Sequence, residues 1–309
     1  MAEKNLEQMK EAVAEIREKM AAAAREAGRD PAAVQLCAAC KTRTAQTVAA
    51  SAALPIDVFG ENHVQELCAN FDASAYCGKP SHFIGHLQTN KIKKVLGRAS
   101  LIQSVDSEHL LNAIEKEAAR AGIVQNVLLE VNIGGEESKT GVAPEALWPL
   151  LDAAAAQEHI RVKGLMAIPP VNDDDARNRR YLAEVYKLFV QAGERGYSNV
   201  SMETLSMGMS GDFENAIREG ATLVRIGTAI YGERDYSKKV RERTLSVIAA
   251  QCHLPRKGEV LYSFPKDAKA PPLGGAGERS EPERVLQQEE PCQKPRSTTP
   301  GRTTQAAVR

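Results

Sequence analysis

The 309-residue sequence lacks a charge surplus, since forty lysines and arginines offset forty aspartates and glutamates. Without a basic excess, nothing in the composition calls for nucleic acid or an acidic membrane as partner. Long apolar runs are absent too, so no segment is built to cross a bilayer. The first twenty residues, MAEKNLEQMKEAVAEIREKM, lack the apolar core of a secretion signal, which points to the cytoplasm. Cysteine is scattered at 37, 40, 68, 77, 252 and 292. The one CxxC, Cys37 with Cys40, falls in a strand pattern that sends the two thiols to opposite faces. No second pair completes a zinc site, so metal and redox chemistry are not expected. A GxGxxG after the first strand is also missing, which counts against a dinucleotide-binding sheet.

What is present is 43% hydrophobic and 26% charged residues, the balance of a soluble globular protein. Leu6, Met9, Val13, Ile16 and Met20 recur three and four apart and predict an amphipathic N-terminal helix. Eight β-rich runs follow: VQLCAACK, IDVFGEN, SHFIGHL, LIQSVDS, NVLLEVNIG, RVKGLMAI, METLSMGMS and LVRIGTAIYG. Helical stretches alternate with them, the longest being DDDARNRRYLAEVYKLFVQAGERG. Alternating βα units imply parallel strands with right-handed crossovers, and eight of them predict a single closed (β/α)₈ TIM barrel. A last helix, SKKVRERTLSVIAAQ, completes a domain spanning 1–252. Eight of the fifteen prolines lie after residue 254, and apolar residues there are sparse, so 253–309 reads as a disordered proline-rich tail.

In such barrels function sits at the C-terminal ends of the strands, and phosphate is commonly held after strands seven and eight. Strand seven ends in SMGMSGDFENAI and strand eight in RIGT, two turns of glycine and hydroxyl residues. Together Ser206, Ser210, Gly227 and Thr228 would form a phosphate cup, glycine letting the backbone approach the anion. Leu223, Arg225 and Gly227 share one strand face, which places Arg225 inward beside that cup. The plainer reading of Arg225 is a structural ion pair at the barrel mouth. Cys37, Ala39 and Lys41 likewise share a face of strand one, small residues leading to an amine. A partly desolvated lysine can attack a carbonyl, so lysine, phosphate cup and inward arginine together suggest pyridoxal 5′-phosphate.

These residues resemble one family. AACKTRT, FGENHVQEL, HFIGHLQTNK, VNIGGEESKTGV, VKGLMAI, LSMGMSGDFENAI and VRIGTAIYG are similar to stretches of the pyridoxal phosphate homeostasis proteins, in family order from about residue 5 to 240. Those proteins are barrels like the N-terminal domain of alanine racemase, the type III fold among pyridoxal phosphate proteins. The resemblance implies that Lys41 forms the Schiff base and that Arg225 faces the pyridine nitrogen. It puts the phosphate on the SMGMS turn, Ser210 rather than Ser206, and on Gly227 and Thr228. Asn62 falls near the ring, and Met207 lies either against the ring or in the core. Cys40, His63 and Tyr231 depart from the residues common in the family, at positions outside these contacts.

The resemblance favours a carrier that binds pyridoxal phosphate and delivers it to apo-enzymes, with an amino-acid racemase as the alternative. Racemisation needs two bases on opposite faces of the substrate, and Lys41 supplies one. No apolar stripe marks a dimer interface, so a monomer is expected. His82 and His86 share a face of strand three and read as hydrogen-bonded structural histidines. Asp173–Asp175 reads as a helix cap, and GGEESKTG as a polar loop at the mouth.

Overall fold

Period-two alternation in eight short segments is satisfied by eight parallel strands. The computed structural model describes residues 4–170 and 174–233. Its strands are β1 (Gln35–Ala39), β2 (Val58–Glu61), β3 (Ser81–Phe83), β4 (Leu101–Val105), β5 (Gln125–Val131), β6 (Ile160–Ala167), β7 (Val200–Ser206) and β8 (Leu223–Ile226). Helix α1 (Leu6–Glu26) precedes them. After each strand in turn come α2 (Ala45–Ser51), α3 (Val64–Asp72), α4 (Ile92–Val95), α5 (Glu108–Ala121), α6 (Leu147–Ala155), α7 (Asp175–Glu194), α8 (Phe213–Arg218) and α9 (Thr228–Tyr231). Strands pair in chain order and β1 pairs with β8, Cys37 opposite Arg225, so the sheet closes into the expected barrel. The predicted helix over 237–251 and the proline-rich tail lie outside the described residues.

Alternation sorts the wall. Leu36, Phe59, Phe83, Ile102, Val127, Leu129 and Leu165 are buried in one continuous apolar layer with the helices. Inside the barrel, Cys37, Val58 and Leu223 form one apolar group and Leu101, Leu128 and Met166 another. Each fully buried leucine or isoleucine contributes about 1.5–3 kcal/mol, so the outer layer dominates stability. Burial pushes the Cys37 thiol up to about 12, and that of Cys40 up as well, so both behave as small core residues.

Helix α1 seals the closure from outside. Asn5 and Gln8 form a capping box, and Met9, Val13, Ile16, Met20, Ala23 and Ala24 make its buried face. That face packs on α2, α8 and α9, the helices flanking β8 and β1. The backbone N–H of Lys4 donates to the Tyr231 carbonyl at 3.1 Å, and its Nζ to the Ala229 carbonyl at 2.8 Å.

Several strands are shorter than their apolar runs. The eighth run continues through TAIYG, yet Gly227 (φ −120°, ψ −70°) leaves the extended region and Thr228–Tyr231 form a helical turn. The acidic cap falls on Asp174, whose side chain accepts from the Ala176 N–H at 2.9 Å; Asp173 lies outside the described residues.

Candidate functional site

The first strand stops at Ala39, two residues before Lys41. The expectation that the strand runs to the lysine is therefore corrected: Lys41 lies in a turn closed by the Arg43 N–H donating to the Cys40 carbonyl at 2.9 Å. Thr42 sits at φ 67°, a left-handed conformation that costs a β-branched residue about 1–2 kcal/mol. Tertiary contacts offset that cost. Arg43 is buried and donates to the carbonyls of Gly232 at 2.7 Å and Glu233 at 3.2 Å, with its guanidinium 5.7 Å from the Tyr231 ring centre. The lysine turn is thereby tied to the segment that follows α9. Lys41 itself is half-buried and makes no hydrogen bond or ion pair among the described residues.

Beside this turn lies the end of β8. A Cβ added to Gly227 would come 3.1 Å from the Ala39 carbonyl, so the two strand ends approach closely only because this residue is glycine. Ser210, half-buried, comes from the β7 turn to the β8 turn, where the Ala229 N–H next to exposed Thr228 points at Ser210 Oγ at 3.5 Å. Gly208 (φ 92°) folds the seventh turn back, and a Cβ there would meet the Ala216 Cβ at 2.5 Å. Asn62 follows β2, half-buried, its carbonyl against Gly85, where a Cβ would lie 2.1 Å away. Lys41, Asn62, Ser210, Gly227 and Thr228 thus come from four strands that are neighbours only because the barrel closes.

Two expected residues sit differently. Met207 is fully buried in the outer apolar layer with the helices, because alternation at the end of β7 turns Ser206 inward and Met207 outward. It belongs to the core and does not face the mouth. Ser206 does face inward but its hydroxyl is taken: Arg225 donates to it at 2.5 Å and it donates to Gln103 Oε1 at 2.6 Å. Arg225 is 5% exposed, points into the barrel as predicted, and also donates to the Ala167 carbonyl at 3.0 Å. Among the described residues its partners are a hydroxyl and a carbonyl, and no carboxylate pairs with it.

The interior carries two further polar residues that sequence reasoning missed. Gln103 Nε2 lies 2.8 Å from His82 Nδ1, and burial lowers the His82 imidazole to about 4, so it is neutral at physiological pH. Glu130, 2% exposed, accepts from the Thr140 hydroxyl at 2.7 Å and leaves Oε2 without a partner among the described residues. Burial raises its carboxyl above the usual range. Each interrupts an apolar run, LIQSV and NVLLEV, at an inward position, which is the signal that would have found them. His86 lies beyond β3 and pairs with Asp106 at 3.3 Å.

Fold and site together define a barrel of the alanine racemase N-terminal-domain class, and residues 5–235 match that family. A pyridoxal phosphate homeostasis protein of Aquifex aeolicus is 42% identical over 226 residues, 73% of this chain and 98% of that protein. One from Pseudomonas aeruginosa is 38% identical, covering 73% of this chain and 96% of its own. The structure of PipY from Synechococcus elongatus with pyridoxal phosphate bound is 29% identical, covers 70% of this chain and 100% of PipY, and superposes with a TM-score of 0.61. The chain belongs to the pyridoxal phosphate homeostasis protein family.

Proposed function

We propose that this chain holds pyridoxal 5′-phosphate at the barrel mouth and takes part in its homeostasis and delivery. The observation that carries the reading is the closure of β8 on β1, which brings a half-buried amine, unpaired among the described residues, to the side of the barrel that carries a glycine–hydroxyl turn. The donor set suits the cofactor. Lys41 is the covalent attachment point, Ser210, Gly227 and Thr228 receive the phosphate, Arg225 faces the ring nitrogen, and Asn62 borders the ring. Pyridoxal phosphate supplies an aldehyde that an amine captures with loss of water. The cradle is open because Gly227 has no side chain, and a Cβ there would press on Ala39.

The site supports holding more than turnover. Arginine is a permanent donor that cannot accept a proton, so it disfavours protonation of the ring nitrogen and weakens the ring as an electron sink. Two tyrosines of the barrel wall are engaged elsewhere: Tyr231 is buried against Ser51 and Cys40, and Tyr76 donates to Glu61. Neutral His82 is occupied by Gln103. A racemase would need a proton carrier facing Lys41 that these groups do not provide. Apo-enzymes that use pyridoxal phosphate are the partners this reading implies, with the chain acting as a monomer. The four thiols at Cys37, Cys40, Cys68 and Cys77 are free, which suits a reducing cytoplasm.

The test is the absorption spectrum of the purified chain with pyridoxal phosphate, beside Lys41→Ala. The reading expects a band near the visible edge that the variant lacks, and a mass increment on Lys41 after borohydride. Identical spectra from the two proteins would overturn it.

A further inference from the structure

Four polar side chains from β3, β4, β7 and β8 run as a chain through the barrel interior: His82, Gln103, Ser206 and Arg225. Burying them is costly unless each is hydrogen-bonded, and each is. The chain also has a direction. Arg225 has no acceptor, so it donates to Ser206 Oγ. Ser206 then has one hydrogen left, which goes to Gln103 Oε1. That orients the amide, so Gln103 Nε2 donates to His82 Nδ1 and the ring proton of His82 sits on Nε2.

We propose that Ser206, Gln103 and His82 are positioning residues that hold Arg225 in the orientation it presents to the ring nitrogen of pyridoxal phosphate. This rests on the cofactor reading above. A free arginine side chain samples many rotamers, and fixing it before the ligand arrives removes that ordering cost from binding. The Ala167 carbonyl supplies a second anchor, so two acceptors define the guanidinium plane. Because burial keeps His82 neutral down to about pH 4, the chain keeps its direction across the physiological range.

The test uses the full chain and two readouts: nitrogen-15 signals of the histidine rings, with His82 assigned by its loss in His82→Asn, and pyridoxal phosphate binding. In the unaltered protein His82 should be the neutral Nε2–H tautomer. Gln103→Met, similar in shape but unable to relay the bonds, should weaken cofactor affinity roughly ten-fold and move the visible band. Gln103→Glu still accepts from Ser206, so affinity and band should stay near the parent while His82 moves to a form protonated on Nδ1. A purely structural role reverses that ranking, since a buried carboxylate disturbs the core more than a thioether. An Nδ1–H tautomer in the unaltered protein overturns the proposal. So does a Gln103→Met protein that binds and absorbs like the parent, or a Gln103→Glu protein no better than Gln103→Met. If the unaltered protein shows no band that Lys41→Ala removes, the cofactor reading fails and the proposal with it. If that band is present and only the Gln103 results fail, the cofactor reading stands alone.

Discussion

Replacing Glu61 with glutamine should stabilise the protein at alkaline pH and leave it little changed in mild acid. Glu61 is fully buried on the outer face of β2, behind the mouth. Its Oε1 accepts from Asn70 Nδ2 at 2.7 Å and from the Tyr76 hydroxyl at 3.1 Å, while Oε2 has no partner among the described residues. Burial is the main cause that raises its carboxyl from 4.5 to about 7, with the charge of Glu66 adding to it and the Asn70 bond opposing. Folding therefore favours the protonated acid. Below pH 4.5 folded and unfolded chains both hold the proton, and no penalty exists. Between 4.5 and 7 only the folded chain holds it, so stability falls by about 1.4 kcal/mol per pH unit as pH rises. Above 7 the full penalty, roughly 3 kcal/mol, is present. Glutamine removes the titration, although its amide leaves two donors unpaired where the protonated acid leaves one, at a cost of about 1 kcal/mol. The stability difference between variant and parent should thus move toward the variant by roughly 2–3 kcal/mol from pH 5 to pH 8. At about 2–4 °C per kcal/mol, that is roughly 4–12 °C in relative melting temperature. Urea or thermal unfolding of both proteins across that range measures it. A difference that stays constant with pH would refute the reasoning.

Three further substitutions test the architecture. Gly208→Ala forces a Cβ onto a residue at φ 92° and within 2.5 Å of Ala216, so unfolding measurements should give a loss of about 2–4 kcal/mol. Gly227→Ala keeps a negative φ of −120° and meets a tight 3.1 Å approach to the Ala39 carbonyl, so stability should fall by about 1 kcal/mol. Titration of the same variant with pyridoxal phosphate should show weakened binding, because the added methyl narrows the β8–β1 cradle. Ile16→Ala removes a buried contact beneath α1 and should cost about 2–5 kcal/mol in a single unfolding transition. A separate early transition would instead mean that α1 melts independently of the barrel.

The sequence by itself determined the class of fold and the identity of its principal side chains. Period-two runs such as LVRI and three–four spacing from Met9 to Met20 are local patterns, because a strand or helix face must be apolar wherever it is buried. The same alternation put Arg225 inward, and applied to β7 it also separates Ser206 from Met207, whose core position follows from that rule. Lys41 was legible as an amine after a strand of small residues, but its turn was not, since Thr42 adopts a left-handed angle that its residue type disfavours. Only the tertiary structure decided which residues meet. The pairing of β1 with β8, the Arg43 bonds to Gly232 and Glu233, and the run from Arg225 through Ser206 and Gln103 to His82 join segments far apart in the chain. A hydrogen bond acquires its direction from the partner that cannot reverse it, here an arginine with no acceptor. That partner is known only once the barrel has closed.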